Sequence, residues 1–355
     1  MTSSLRPAVP DRRAPARPRR TWGWPQYLAV AGLPVLAAEI WTIGAWLARG
    51  PHQVTEYRDG HPIDFWAARG FEAGVVVISL IVAARVVRDC RAQRRVVTFD
   101  VMFLVCAMSM AWGTDLTNYF MPMFTFSSYW VNLNDPCGDI PILVNEDCGR
   151  VPLPIIGMPL MLSFGLLAAA MAIGAATERL QRRRPGLSKA RQLAFIVAVA
   201  CLIVLVVEPL CVRLHLWNYP GLPLAIPVDG PAWQYPIFPE VFVFGSFIGL
   251  PAALRIFRDD RGRTLLERGL DGYGARSRTA ITFLAMYAFF QFMIWGPGTA
   301  PLWPMSWYQH AWPSLPASQL NGMCDPPGGS AAPTRYGPCP GSPGFRMPVP
   351  GSLPG

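Results

Sequence analysis

Charge is what this chain has least of. Asp, Glu, Lys and Arg make up 15% of the 355 residues, against about 25% in a typical soluble domain. With 52% hydrophobic residues and a mean hydropathy of +0.28, the deficit excludes an ordinary soluble fold and predicts a multi-pass membrane protein. Lysine is nearly absent: of 31 basic residues Lys189 alone is lysine. It falls in an arginine-rich loop, so no membrane helix offers an amine for a retinal Schiff base. The eight cysteines include no C-x-x-C pair and no Cys/His spacing suited to zinc, and no metal site is expected. Also missing are GxxxxGK[ST], HExxH and a paired aspartate-rich diphosphate motif, so ATP use, zinc proteolysis and prenyl transfer lose support. Neither an internal repeat nor a pair of interrupted helices suggests a transporter.

What is present is a series of long apolar runs. They lie at about Trp24–Leu47, Gly70–Val87, Val97–Phe120, Pro152–Ala176, Gln192–Leu214, Ile237–Phe257 and Thr279–Trp295. Each approaches the roughly 20 residues that a helix needs to cross a bilayer. The expected fold class is therefore an all-α integral membrane protein with about seven transmembrane helices. Residues 1–21 form a basic, Arg/Pro-rich tail read as disordered. Residues 22–300 form the seven-helix domain. Residues 301–355 form a Gly/Pro-rich tail, also read as largely disordered. Assigning Lys and Arg to alternate sides of seven spans puts 24 on one side and 7 on the other. The excess marks the cytoplasmic side, which places the N-terminus inside and the C-terminus outside. It also accounts for the net charge of +9 without nucleic acid as a partner. Cys137 and Cys148 share an outer loop and Cys324 and Cys339 the outer tail, a compartment that permits disulfides; four free thiols are the alternative.

On this topology the polar residues of the spans gather at the outer face. Asp115, Asn118 and Tyr119 share one face at the end of the third run. A carboxylate in an apolar run is costly and is a functional candidate by default. Glu208, His215, Trp217 and Tyr219 end the fifth run, and Trp233, Gln234, Tyr235 and Glu240 open the sixth. Glu39 and Glu72 lie in the outer halves of the first two. Asp115 and Glu208 sit near helix C-termini, where the dipole and burial both favour a neutral acid. Glu240 follows Pro239 at a helix N-terminus, where an anion is favoured, and is the candidate base. Carboxyls whose protonation is pushed apart are what acid–base chemistry requires. Rings nearby can stabilise a cation through their faces. Each residue also has a plainer reading. Trp and Tyr anchor helix ends at the interface, His215 caps a helix, Glu208 pairs with Arg213, Glu240 is only a favourable helix-end charge, and Asn118 packs helices.

The motifs D-x-x-N-Y-F-x-P-x-F at Asp115–Phe124 and W-x-N at Trp130–Asn132 resemble the AveC-like spirocyclase family. So do Glu208 with L-W-N-Y-P-G at Leu216–Gly221, and W-Q-Y-P at Trp233–Pro236 followed by Glu240. The resemblance spans about residues 25–300. Where the family often has W-x-D-P, this chain has Trp112, Asp115 and Leu116, and its outer loop is interrupted between Cys137 and Cys148. The resemblance implies an integral membrane enzyme of actinobacterial secondary or lipid metabolism, located in the plasma membrane. It implies closure of a dihydroxy-ketone to a spiroketal through an oxocarbenium ion, with no redox cofactor. Trp217 and Tyr219 with Pro236 or Pro239 and Glu240 are also similar to the small membrane lycopene cyclases, in which a carboxyl protonates an apolar substrate.

The reading that follows is a membrane-embedded cyclase or dehydratase acting on a lipophilic polyketide- or isoprenoid-like molecule without a cofactor. Asp115, Glu208 and Glu240 supply the proton chemistry. Asn118, Tyr119, Asn132, His215, Trp217, Tyr219, Trp233, Gln234 and Tyr235 line the pocket. Its partners are the lipophilic substrate and membrane lipids. A non-catalytic lipid-binding or carrier protein of the cell envelope is the alternative, and a structural membrane subunit is a third.

Overall fold

The structure, a computed structural model, describes residues 22–53, 62–114, 125–141, 153–219, 224–230, 232–297, 299–300 and 319. The side chains of residues 137 and 238–240 lie outside that description. Seven helices of ten residues or more occur among the described residues: α1 (Trp24–Arg49), α2 (Pro62–Gln93), α3 (Phe99–Met108), α4 (Gly157–Arg183), α5 (Lys189–Arg213), α6 (Ile237–Ile256) and α7 (Ala275–Trp295). All but α3 and α6 are long and apolar enough to cross a membrane. A 3₁₀ turn, Ser109–Gly113, extends α3, and a π turn, Met161–Gly165, interrupts α4 just beyond Pro159. The flanks of α2 and α5 leave Leu80, Ile81, Leu202 and Val206 exposed. Apolar surface on that scale is stable only against lipid or another apolar partner.

Local chemistry sets the helix boundaries. Pro25 occupies the first turn of α1, and the Gly23 N–H donates to Gln26 Oε1 at 2.9 Å. Thr98 and Ser188 cap α3 and α5, accepting from the Val101 and Arg191 amides. α2 begins at Pro62, eight residues before the apolar run, because Pro62 can open a helix and Asp64 suits its first turn. Segment 62–69 is polar enough to read as a connection, yet it is helix.

Glycines let the helices approach closely. A Cβ at Gly32 on α1 would lie 2.8 Å from the Leu284 carbonyl of α7, and one at Gly249 on α6 would lie 3.3 Å from Val197 Cα of α5. Gly245 likewise meets Cys201, so G-x-x-x-G on α6 is a contact face.

At one end of the bundle three two-residue antiparallel pairs form a cap. They are β1 (Thr125–Phe126) with β4 (Trp217–Asn218), β2 (Asn132–Leu133) with β3 (Leu153–Pro154), and β5 (Ile226–Pro227) with β6 (Gln234–Tyr235). Thr125 pairs with Asn218, Asn132 with Pro154, and Ile226 with Tyr235. Glu72 of α2 ties down the cap by accepting from the Val131 amide at 2.9 Å. Within the cap Trp130 packs directly on Gly157, where a Cβ would come within 2.8 Å of ring atom Cε3. Gly157→Ala is expected to cost about 1–3 kcal/mol through forced displacement of the ring. A thermal melt of the detergent-solubilised protein checks this.

The opposite end is rich in arginine. Arg255 in the last turn of α6 makes two bonds, of 3.0 and 2.9 Å, to Asp100 in the first turn of α3. The loop after α6 folds around Asp259, which accepts from the Arg261 and Arg263 amides and from Arg263 Nε. The Arg263 amide, with lesser help from the Arg263 side chain and the Arg261 amide, holds its carboxyl at about 2, below the ordinary 3.8. A depressed carboxylate stabilises the folded loop above its ordinary value and ceases to do so as pH falls through the folded value. Hydrogen-exchange protection of residues 258–263, corrected for intrinsic rate, is therefore expected to fall between about pH 4 and pH 2. Asp259→Asn is expected to give the low-pH pattern at neutral pH.

Candidate active site

A cavity of about 570 Å³ lies between α1, α3 and the start of α4, beneath the cap. That volume is within the range of small-molecule sites. Val101, Leu104, Val105 and Met108 form one wall from α3, Ile43 and Trp46 another from α1, and Phe164 is presented by the π turn of α4. Val105 and Met108 are exposed on the bundle flank, so the cavity opens sideways rather than through the cap. Among the described residues its walls are apolar with two exceptions, Glu39 and Ser109, and Glu39 is the one charged residue of that set.

The Glu39 carboxyl is buried, and the Tyr287 hydroxyl of α7 donates to its Oε2 at 2.6 Å. Trp112, at the end of the 3₁₀ extension, adds an aromatic wall beside it and packs edge-on against Trp295 at 5.3 Å. Ser109 is held from behind, accepting from Gln291 Nε2 at 2.9 Å while donating to the Cys106 carbonyl. At the top Trp46 Nε1 donates to the Asn134 carbonyl, and Asn134 exchanges bonds with His52. Chemically, the described residues supply one carboxyl, backed by the Tyr287 phenol, to an apolar room with indole and phenyl walls.

The second cluster is centred on Glu208. Trp217 Nε1 and the Tyr219 hydroxyl donate to the same oxygen, Oε2, at 2.8 and 2.9 Å. Glu208 thus bonds to an indole and a phenol rather than to Arg213. The contact folds the segment after α5 back on the helix that it has just left. Asn218 continues the fold-back, donating to the Ala232 carbonyl and accepting from the Tyr219 and Gln234 amides. Tyr235 is fully buried with its ring 6.3 Å from Tyr219.

His215 belongs to a third group. Its backbone is left-handed, φ +59°, just past the C-terminus of α5. Nδ1 lies 2.8 Å from Asp64 Oδ1 of α2 and Nε2 lies 3.1 Å from Asp229 Oδ2. A neutral imidazole has one N–H, so both contacts are hydrogen bonds only when the ring is protonated. Trp233 stacks on the ring at 3.9 Å.

An aromatic layer joins the clusters. Phe71 stacks on Trp130 at 5.3 Å, and Trp130 meets Trp217 edge-on at 6.1 Å. Trp130 abuts Gly157, the first residue of the helix whose Pro159 and Phe164 line the cavity.

The structure therefore brings together Glu208, Trp217, Tyr219 and Tyr235 in one place and His215 and Trp233 in another. The Gln234 amide is held by Asn218. Asn132 is buried and spends its Nδ2 on the Ser127 carbonyl, within the cap. Asp115, Asn118 and Tyr119 lie outside the described residues, as do Cys148, Cys324, Cys339 and the side chains of Cys137 and Glu240. Gln319 of the C-terminal segment is buried beside Thr125.

From sequence Glu39 is placed at the outer face without a role, and Tyr287, Asp64 and Asp229 are not singled out. The signal for Glu39 was the one used for Asp115, a carboxylate in an apolar run. Tyr287 gives no such signal, since a single Tyr among Phe and Met reads as core.

The family described as Spirocyclase AveC-like matches residues 93–310, more than half of the chain. The chain belongs to the AveC-like spirocyclase family. No curated protein and no solved structure matches it. Membership points to cyclase- or dehydratase-type chemistry in a membrane protein. The matched span contains α3 to α7, and with them Trp112, Glu208 and Tyr287. Glu39 and Asp64 reach these AveC-like residues from α1 and α2, outside the matched span.

Proposed function

We propose that this AveC-like protein is a plasma-membrane cyclase that closes a ring in a lipophilic, polyhydroxylated substrate with loss of water. We further propose that Glu39 is its acid. The apolar cavity, with Glu39 as the one carboxyl among its described lining residues, carries this reading. A polyketide- or isoprenoid-like chain that partitions into the bilayer can reach the room sideways past Val105 and Met108. The walls then hold it folded, and such positioning supplies much of the rate of an intramolecular reaction.

For a dihydroxy-ketone the steps are as follows. One hydroxyl adds to the carbonyl and gives a hemiketal. Protonated Glu39 delivers a proton to the hemiketal hydroxyl, which leaves as water. The resulting oxocarbenium ion lies against the Trp112 face, where ring quadrupoles favour a cation. The second hydroxyl attacks the cationic carbon and loses its proton to a carboxylate, so one water is released for each ring system formed. Tyr287 orients the Glu39 carboxyl throughout.

Asp115 is the favoured partner carboxyl. It follows the cavity residue Trp112 by three residues in sequence. Glu240 is the other candidate base. Glu208, Trp217 and Tyr219 position the segment after α5, and the Asp64–His215–Asp229 group fixes where that segment leaves the bundle. We propose seven spans with the N-terminus in the cytoplasm, which puts the cap and the cavity in the outer half of the membrane.

Mass spectrometry of lipid extracts from the host tests the reaction. A deletion strain should accumulate a species, and should lose a product lighter by one water, with both reversed by the wild-type gene. A purified protein that retains a lipid whose mass and abundance do not depend on the gene would overturn the enzyme reading in favour of a carrier.

A further inference from the structure

A second cavity, of about 360 Å³, opens at the other end of the bundle, where α3 and α7 begin and the loop after α6 crosses them. Five arginines line it, Arg95, Arg258, Arg261, Arg263 and Arg278, against two carboxylates, Glu267 and Asp271. Both carboxylates are already committed. Glu267 accepts from the Thr264 amide and hydroxyl, each at 2.8 Å. Asp271 takes two bonds from Arg263 Nη1, at 2.8 and 2.7 Å, and lies 3.6 Å from Arg261. Its carboxyl is held below the ordinary range first by the Arg263 hydrogen bonds, with Arg261 and Arg278 adding through space. Arg263 is also paired with Asp259, so two acids serve Arg261, Arg263 and Arg278. Arg95 and Arg258 have no carboxylate partner among the described residues, and the Arg258 guanidinium rests over the Phe99 ring at 5.1 Å.

The backbone adds to the excess. The first turns of α3 and α7 both border the cavity, and each presents the positive end of a helix dipole. α7 has no acidic residue in its first turn and no side-chain cap at Gly274. Arg276 and Arg278 stand there instead, where the dipole disfavours cations. An anion in the cavity would offset both. The rim is apolar: Val96, Val97 and Leu265 are exposed beside the arginines, just where α3 turns into the bundle.

We infer that this cavity binds the phosphate of an anionic membrane lipid headgroup, with the acyl chains lying over the Val96–Val97 rim. The arginines and helix ends would take phosphate from any source, and it is the apolar rim that selects a lipid. The site is separate from the cavity that holds Glu39 and does not rest on the proposed reaction.

Native mass spectrometry of the full chain, delipidated and then exposed to mixed phosphatidylglycerol and phosphatidylcholine, tests this. Wild type should retain one phosphatidylglycerol in preference to phosphatidylcholine. Arg95→Gln and Arg278→Gln should each weaken that retention by about fivefold. Both side chains are exposed, so the fold should survive, and a monodisperse elution profile verifies it. Arg182→Gln, at the same end but outside the cavity, should leave retention unchanged. Equal retention by wild type and the two cavity variants would overturn the site, as would an equal loss in Arg182→Gln. Displacement of phosphatidylglycerol by millimolar inorganic phosphate would overturn the lipid as the source.

Discussion

Glu39→Gln is expected to reduce ring closure by roughly 10²–10⁴-fold, the usual contribution of a positioned general acid, while substrate still binds. The expectation rests on the place of the group. Among the described residues Glu39 is the one charged residue lining the 570 Å³ cavity, so none of them can take over the proton transfer there. Glutamine keeps the size and can still accept from Tyr287, which makes a 2.6 Å bond to the carboxyl. The substitution therefore removes the proton and little else. Tyr287→Phe should have a smaller effect, about tenfold, because it frees the carboxyl to rotate without removing it. The measurement is product formed per hour in membranes from cells expressing each variant, alongside co-purified substrate measured by mass spectrometry. Wild-type turnover in Glu39→Gln would sink the assignment. Loss of both turnover and bound substrate would mean that the carboxyl recognises a hydroxyl rather than protonates one.

The gross architecture was legible in the sequence because the membrane imposes it. Runs of about 20 apolar residues have few ways to satisfy their backbones in lipid other than as helices, and the runs ending at Trp295 and beginning at Trp24 and Ile237 agree with α7, α1 and α6. Boundaries were less legible where polar residues belong to a helix. Asp64 lies in the first turn of α2, yet Pro62, Asp64 and Arg69 together look like a loop, so its tie to His215 was not anticipated. The L-W-N-Y motif was legible as a cluster because aromatic and amide residues crowd a helix end. Its internal order was not, since nothing in one dimension shows that Trp217 and Tyr219 turn back onto Glu208, nine and eleven residues earlier. The cavity was the least legible feature. It is a space between α1, α3 and α4, and a packing void has no signature in any single segment. Only the carboxylate of Glu39 betrayed it.

Glu208→Ala is expected to destabilise the protein by about 2–5 kcal/mol, because two donors, Trp217 Nε1 and the Tyr219 hydroxyl, lose one shared acceptor. Trp217 and Tyr219 are 4% and 5% exposed, so water cannot easily replace that acceptor. The damage should spread to Asn218, whose side chain holds the β6 segment through the Gln234 amide, and from there to the strand pair of β1 with β4. Glu208→Gln keeps a carbonyl oxygen at the same distance and should recover most of the stability. The pair of variants separates two roles that look alike in a single structure. If Glu208 positions the cap, the Gln protein is nearly as stable as wild type and turns over within a few-fold of it, while the Ala protein melts early. If Glu208 is itself a proton donor, the Gln protein is stable and inactive. A double-mutant cycle of Glu208→Gln with Trp217→Phe settles the matter energetically: a coupling of at least about 1 kcal/mol in stability, with no coupling in turnover, is what a positioning carboxylate produces.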